Sequence, residues 1–250
     1  MRRVAALAAV LLVSALSVSC AKTKPIEIPV PEGVDLGAAA EIGDAGNGLW
    51  LLDGTVAASR ILDAMRTSSG GTMTAHVQEL VPVEKGDPLP GRTIDVSAAT
   101  DGLGVQASIR VGDQEGELVV IGQRVWIRGN AAFTAHAGLS AASDGFTCVA
   151  RGTAGLAEFE SLADPAGFLR TALIGLEMGV LGPTARAPEV QTLVIGTGGS
   201  PIGDLTVAAS GPPLPQRLFV ADQTGSISAD FTWGGVAEIR APSDSSDSCG

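Results

Sequence analysis

Between Pro215 and Pro242 the chain reads PQRLFVADQTGSISADFTWGGVAEIRAP, and its middle alternates without a break. Ile227, Ala229, Phe231 and Trp233 fall on one side of an extended chain, and Ser226, Ser228, Asp230 and Thr232 on the other. Strand side chains point to opposite faces with a period of two, so this run dictates a sheet with one dry face and one wet face. Asp222-Gln223-Thr224-Gly225 marks a turn on one side. Gly234-Gly235 reverses the chain on the other, since paired glycines accept positive φ at both corners. The segment is predicted to be a three-stranded antiparallel meander whose apolar face needs a partner.

The same alternation recurs upstream. Thr72 to Val81 places Met73, Ala75, Val77 and Val81 on one face, and the loop PVEKGDPLPG follows. Arg92 to Ala99 and Val105 to Val111 repeat the pattern around the Asp101-Gly102 turn. Glu117 to Ile121 and Gln123 to Arg128 form a hairpin around Gly122, with Trp126 out of phase with Val125 and Ile127. Strands joined by turns this short make a meander and leave no room for βαβ crossovers. Val190 to Ile195 and Leu205 to Ala209 add two more, joined by GTGGSPIG.

Two helices are expected. Asp53 is an N-cap for a helix bearing Val56, Ile61, Leu62 and Met65, stopped by Ser68-Ser69-Gly70-Gly71. Asp164-Pro165 opens the second, with Pro at the first helical position. Its run Phe168, Leu169, Ala172, Leu173, Leu176 and Met178 is apolar on most sides, so this helix must be surrounded. Ala131 to Thr153 reads as a small-residue loop with short helical turns.

About ten strands and two main helices make an α+β chain. Strand pairs rotate by roughly 20–25°, so a meander of this size curls. The economical arrangement is a strongly curved antiparallel half-barrel gripping both helices on its concave face. Hydrophobic residues are 45% of the chain but aromatics only 4%, with no Tyr, so the lining is aliphatic and small. Lining candidates for an apolar space are Ile61, Leu62 and Met65 on the first helix, and Leu169, Leu173 and Leu176 on the second. Val105, Ile109, Ile227 and Phe231 complete the set on the sheet.

The N-terminus carries Arg2-Arg3, an apolar run from Val4 to Leu16, then Ser17-Val18-Ser19 and Cys20. A basic start, a short apolar stretch and small residues before a break are the marks of an export signal, too short for an ordinary spanning helix. Cys20 directly after it resembles a bacterial lipobox, with Ser17 where a large aliphatic residue is usual. Residues 1–19 are therefore read as a lipoprotein signal peptide, with an ordinary secreted protein as the alternative. Residues 20–50 follow as a Pro- and Gly-containing tether, 51–242 as one domain and 243–250 as a tail. Export leaves Cys148 and Cys249 as an even pair in an oxidising compartment, where a disulfide forms readily. A buried Cys148 with a free Cys249 is the alternative.

The net charge of −11 excludes nucleic acid as a partner, because phosphate neutralisation needs clustered Lys and Arg. Motifs that suggest chemistry are thin. Ser19-Cys20-Ala21-Lys22 spells S-x-x-K, but Ser19 leaves with the signal peptide. GTGGSPIG lacks the Lys-Ser/Thr of a phosphate loop. His76 and His136 are the only imidazoles, and neither they with Cys148 nor the acid pairs Glu115/Glu117 and Glu158/Glu160 form a recognisable catalytic set. No catalytic residue, metal site or cofactor is expected.

The pattern resembles the mycobacterial LppX/LprAFG family of envelope lipoproteins and, more distantly, the LolA and LolB carriers. The matching stretches are ILDAMRTSSGGTMTAHV, the hairpin GELVVIGQRVWIRG, the helix start LADPAGFL and the ending ISADFTWGGVAEIRAP, together spanning about residues 54 to 242. The resemblance implies a lipid-transfer lipoprotein without enzymatic activity. It would be a monomer, anchored through Cys20 to the extracytoplasmic face of the cell membrane. It would hold the acyl chains of a lipid or glycolipid between sheet and helices, and a membrane transporter would be its partner. The alternative is a non-transporting envelope scaffold that binds a protein or glycan on the same sheet.

Overall fold

A computed structural model describes residues 46–84, 86–139, 145–184 and 186–243. The signal peptide, Cys20, most of the tether and Cys249 lie outside the described residues. One open antiparallel sheet of 11 strands dominates, in the order β6-β5-β4-β3-β2-β1-β11-β10-β9-β8-β7. The strands are β1 (Gly71–Val81), β2 (Leu89–Thr100), β3 (Gly104–Val111), β4 (Gln114–Ile121), β5 (Arg124–Gly129) and β6 (Thr147–Ala150) in the first meander. The second holds β7 (Glu177–Leu181), β8 (Val190–Thr197), β9 (Ser200–Ala208), β10 (Pro215–Asp222) and β11 (Gly225–Trp233). The two meanders join where β1 pairs with β11, Ala75 opposite Ala229 and Met73 opposite Phe231. This is the curved α+β half-barrel that the periodicities require.

Among the described residues four α-helices, α1 (Gly54–Thr67), α2 (Ala131–His136), α3 (Ala157–Ala163) and α4 (Pro165–Leu173), accompany the sheet. Helices α3 and α4 carry the chain from edge strand β6 to edge strand β7 over the concave face. Helix α3 packs on β2, β3 and β4, α4 on β2 and α1, and α1 on β7. Both predicted N-caps are present: the Asp53 carboxylate accepts from Thr55 and Val56, and that of Asp164 from Ala166 and Gly167. Each such cap contributes about 1 kcal/mol. Ile61 is fully buried and Met65 nearly so, and burying side chains of this size is worth about 1.5–3 kcal/mol each.

Several expectations are corrected. The second helix ends at Leu173, because Ile174 is extended (ψ 128°) and Gly175 takes a positive φ of 74°. Leu176 therefore follows the helix, and Met178 belongs to β7, whose short run after an apolar helix was indistinguishable from its continuation. GTGGSPIG is the tight end of the β8–β9 hairpin, turning at Gly198 and Gly199, and Leu89-Pro90-Gly91 opens β2. The short edge strand β6 was hidden in the small-residue stretch.

The third strand of the closing meander is absent. After Gly234 and Gly235 the chain crosses the outer face of the sheet without entering it. There Ile239 packs on a second apolar cluster of Val119, Trp126, Phe146 and Cys148, and its N–H donates to Asp101 Oδ2 at 2.8 Å. Asp101 Oδ1 also accepts from Leu103 and Gly104 at 2.9 and 2.7 Å. These backbone donors, Ile239 first, hold the Asp101 carboxyl below its ordinary value. A group with a depressed folded pKa contributes stability above its unfolded pKa and loses it as pH falls through the folded one. Protection of the Ile239 amide, taken relative to the intrinsic exchange rate at each pH, is therefore expected to be full at neutral pH and to fall only once the pH drops below the ordinary range of an aspartate carboxyl, and Asp101→Asn should remove that pH dependence.

Candidate ligand site

The ten predicted lining residues all pack in or against one apolar core on the concave face. Ile61, Met65, Ile109, Leu169, Leu173 and Phe231 are buried, and Leu62, Val105, Leu176 and Ile227 are half-buried. They are not arranged around a single space. Leu176 and Ile227 line a cavity at one end of the strands, while Met65 and Val105 line another at the opposite end.

Aromatic packing fills part of the core between sheet and helices. Gly116 on β4 is the register partner of Gly129 on β5. Two adjacent glycines leave a hollow in the concave face, and the fully buried Phe133 ring of α2 lies in it, so a Cβ at either glycine would collide with the ring. Phe133 stands 4.5 Å from Phe159 of α3, and His136 meets the edge of Phe159 at 5.4 Å. Sequence reasoning missed this arrangement. Its signal was a pair of strand glycines in hairpin register, which marks a close approach.

The first cavity, about 240 Å³, lies between the C-terminal end of α4 and strands β1, β9, β10 and β11. Its apolar walls are Val77, Ala172, Leu176, Ile202, Val220 and Ile227, and Gln78, Glu79, Asp222, Thr224 and Ser226 line it as well. Ile174 stands at its edge, 77% exposed. On the same side Arg92 donates to Glu79 at 2.8 Å and pairs with Glu158 of α3 at 3.2 Å. The hydrogen bond to Glu79 leads the interactions that hold the Arg92 guanidinium above its ordinary pKa. This three-membered network fastens α3 to the β1–β2 ribbon, where Gly91 and Arg92 together oppose Glu79 in a bulge.

The second cavity, about 320 Å³, has a floor of Met65, Val105, Val120 and Trp233 and a rim with Arg66, Arg151 and Glu160. Trp233 stacks parallel to Phe231 and donates its indole N–H to Pro215 O at 2.6 Å. The Glu160 carboxylate accepts from Gly152 N and faces Arg151, which leaves it neutralised.

The sheet keeps apart the groups that could have formed a catalytic set. His76 lies on the outer face, with Nδ1 2.7 Å from Asp95. His136 lies with Phe159 on the concave side, and Cys148 points outward from β6 into the second cluster, where it is disulfide-bonded. The other two cysteines lie outside the described residues. Glu115, Glu117, Glu158 and Glu160 each face an arginine. Among the described residues no three His, Cys, Asp or Glu side chains come together to hold a metal ion, and no helix is long and apolar enough to cross a membrane.

No family model and no curated protein matches the chain. Solved structures similar to it include LprF from Mycobacterium bovis, 13% identical, with 76% of this chain and 99% of that one covered at a TM-score of 0.38. The lipoprotein LppX from Mycobacterium tuberculosis is 14% identical, with 82% and 100% covered at 0.36. A LolA superfamily protein from Nitrosomonas europaea is 8% identical, with 76% and 96% covered at 0.31.

Proposed function

We propose that this chain is a lipid-binding lipoprotein of the bacterial cell envelope, anchored through Cys20 to the outer side of the cytoplasmic membrane. In this reading it shields an acyl chain between α4 and strands β1, β10 and β11. The observation that carries the proposal is the 240 Å³ cavity at one end of the strands of an unclosed sheet, with an aliphatic side formed by Val77, Ala172, Leu176, Ile202, Val220 and Ile227, polar groups from Gln78 to Ser226 beside it, and exposed Ile174 at its edge. Each buried methylene is worth about 0.8 kcal/mol, so an acyl chain entering such walls is strongly held without any polar contact. The volume is below the roughly 300–1,000 Å³ of ordinary ligand pockets, so a long chain requires α4 to swing outward. The Ile174-Gly175 break behind Leu173 is placed to permit that. Transfer to or from a membrane transporter would follow from the same tethered, non-enzymatic role.

One observation favours a second reading. The aromatic packing of Phe133 and Phe159 takes up room between sheet and helices, which suits a tethered scaffold. Substituting Leu176, which lines the cavity, by Trp separates the two. In a carrier, binding of a fluorescent fatty acid should weaken at least tenfold while the fold persists. In a scaffold the parent protein binds no probe, and the variant only loses the roughly 1–3 kcal/mol that overpacking costs.

A further inference from the structure

The outer face of the sheet carries a groove of about 530 Å³, larger than the two cavities described above and smaller than the space of about 630 Å³ between α1, Leu49 and Pro213. It lies on the side of the sheet away from α1, α3 and α4, and the lipid reading does not use it. Its floor is a row of hydroxyls in register across three strands, Thr74 opposite Ser97 and Ser97 opposite Ser108. Neighbouring strands lie about 4.8 Å apart, so the row extends about 10 Å. Among the described residues none of these three hydroxyls has a hydrogen-bond partner.

The walls are taller and already paired. His76 Nδ1 meets Asp95 at 2.7 Å, Arg110 Nε meets Glu115 at 3.0 Å, and Arg128 meets Glu117 at 2.8 Å. Arg128 is further held over the Phe146 ring at 4.6 Å. Three carboxylates against two guanidiniums leave this lining at −1 with His76 neutral. An anion would face all three carboxylates, and a cation would meet guanidiniums already held by acids. A peptide strand finds no ladder here, because β1 to β4 are interior strands and their backbone groups are spent on both neighbours; strand addition needs an edge. What remains on offer is a mixture: donors from Arg110 and the hydroxyls, acceptors from the second oxygens of the carboxylates. Donors and acceptors lying side by side, with their charges already largely paired, match an uncharged molecule whose own groups do both.

We infer that this groove is a binding site for a neutral carbohydrate, one to two sugar rings seated over Thr74, Ser97 and Ser108 with vicinal hydroxyls bridging Arg110 and the flanking carboxylates. The experiment is a ¹⁵N–¹H NMR titration of the folded protein with maltohexaose, cellohexaose and mannohexaose, and with a hexamer of glucuronic acid for comparison. At least one neutral probe is expected to shift the amides of Thr74, Ser97 and Ser108. Ser97→Trp, at an exposed position, should weaken that binding at least tenfold with an unchanged spectrum elsewhere. Thr192→Trp on β8, outside the groove, should leave it intact. The inference is overturned if no neutral probe moves the groove amides, if the charged hexamer binds more tightly than the neutral ones, or if Ser97→Trp binds like the parent. Acyl-chain binding on the concave side is read separately, so failure here leaves the lipid proposal standing.

Discussion

Replacing Phe133 by alanine is expected to lower the unfolding free energy by about 3–5 kcal/mol, the range for deleting a fully buried aromatic ring. The ring is fully buried, sits in the hollow made by Gly116 and Gly129, and packs against Phe159. Rigid backbone on one side and a helix on the other leave little room for collapse, so the upper part of that range applies. Denaturant titration should show the midpoint fall with an unchanged slope. A loss under 1 kcal/mol would mean that the ring is not the keystone between α2 and the first meander. The reciprocal change, Gly116→Val, should be similarly severe, because its side chain would occupy the ring's place.

The second large effect concerns Cys148. It is disulfide-bonded and lies in the outer cluster against which Ile239 packs. Nine residues lie between Ile239 and Cys249, and the ten extended steps span about 33 Å, enough to bring Cys249 within reach. A Cys148–Cys249 link would close a loop of about 100 residues, and the chain-entropy model puts its contribution near 4–5 kcal/mol. Non-reducing peptide mapping is expected to recover the two cysteines together. Cys148→Ser should lose most of that stability and expose Trp126, which clusters with Cys148 and Ile239. A map pairing Cys148 with Cys20 would refute the assignment and would also be incompatible with Cys20 as the lipidated residue.

Much of this fold was legible because the sheet announces itself by parity. Every strand with a clean period of two, from Met73-Ala75-Val77 to Ile227-Ala229-Phe231, points inward as its alternation requires, and Trp126 points outward as its phase requires. The two Asp N-caps were readable for the same local reason: the chemistry of the cap is complete within four residues. What was not legible depends on distant partners. Whether Val236-Ala237-Glu238-Ile239 joins the sheet is decided by Asp101, more than 130 residues away, which takes the Ile239 amide out of any ladder. The apolar run Leu173 to Met178 suits helix and strand equally, and only the positive φ at Gly175 breaks it. The site fared similarly. Hydrophobicity identified which side chains face inward, but volume is a property of how they meet, and a glycine pair filled by one phenylalanine closes space that composition alone leaves open.

The most direct test of the carrier proposal is native mass spectrometry of the protein extracted from bacterial membranes, followed by identification of anything released in organic solvent. The proposal predicts a stoichiometric acylated adduct, in addition to the lipid it places on Cys20, that dissociates on gentle activation and is depleted in Leu176→Trp. A protein that flies at its lipidated mass alone, from membranes that contain abundant acyl lipids, would contradict it.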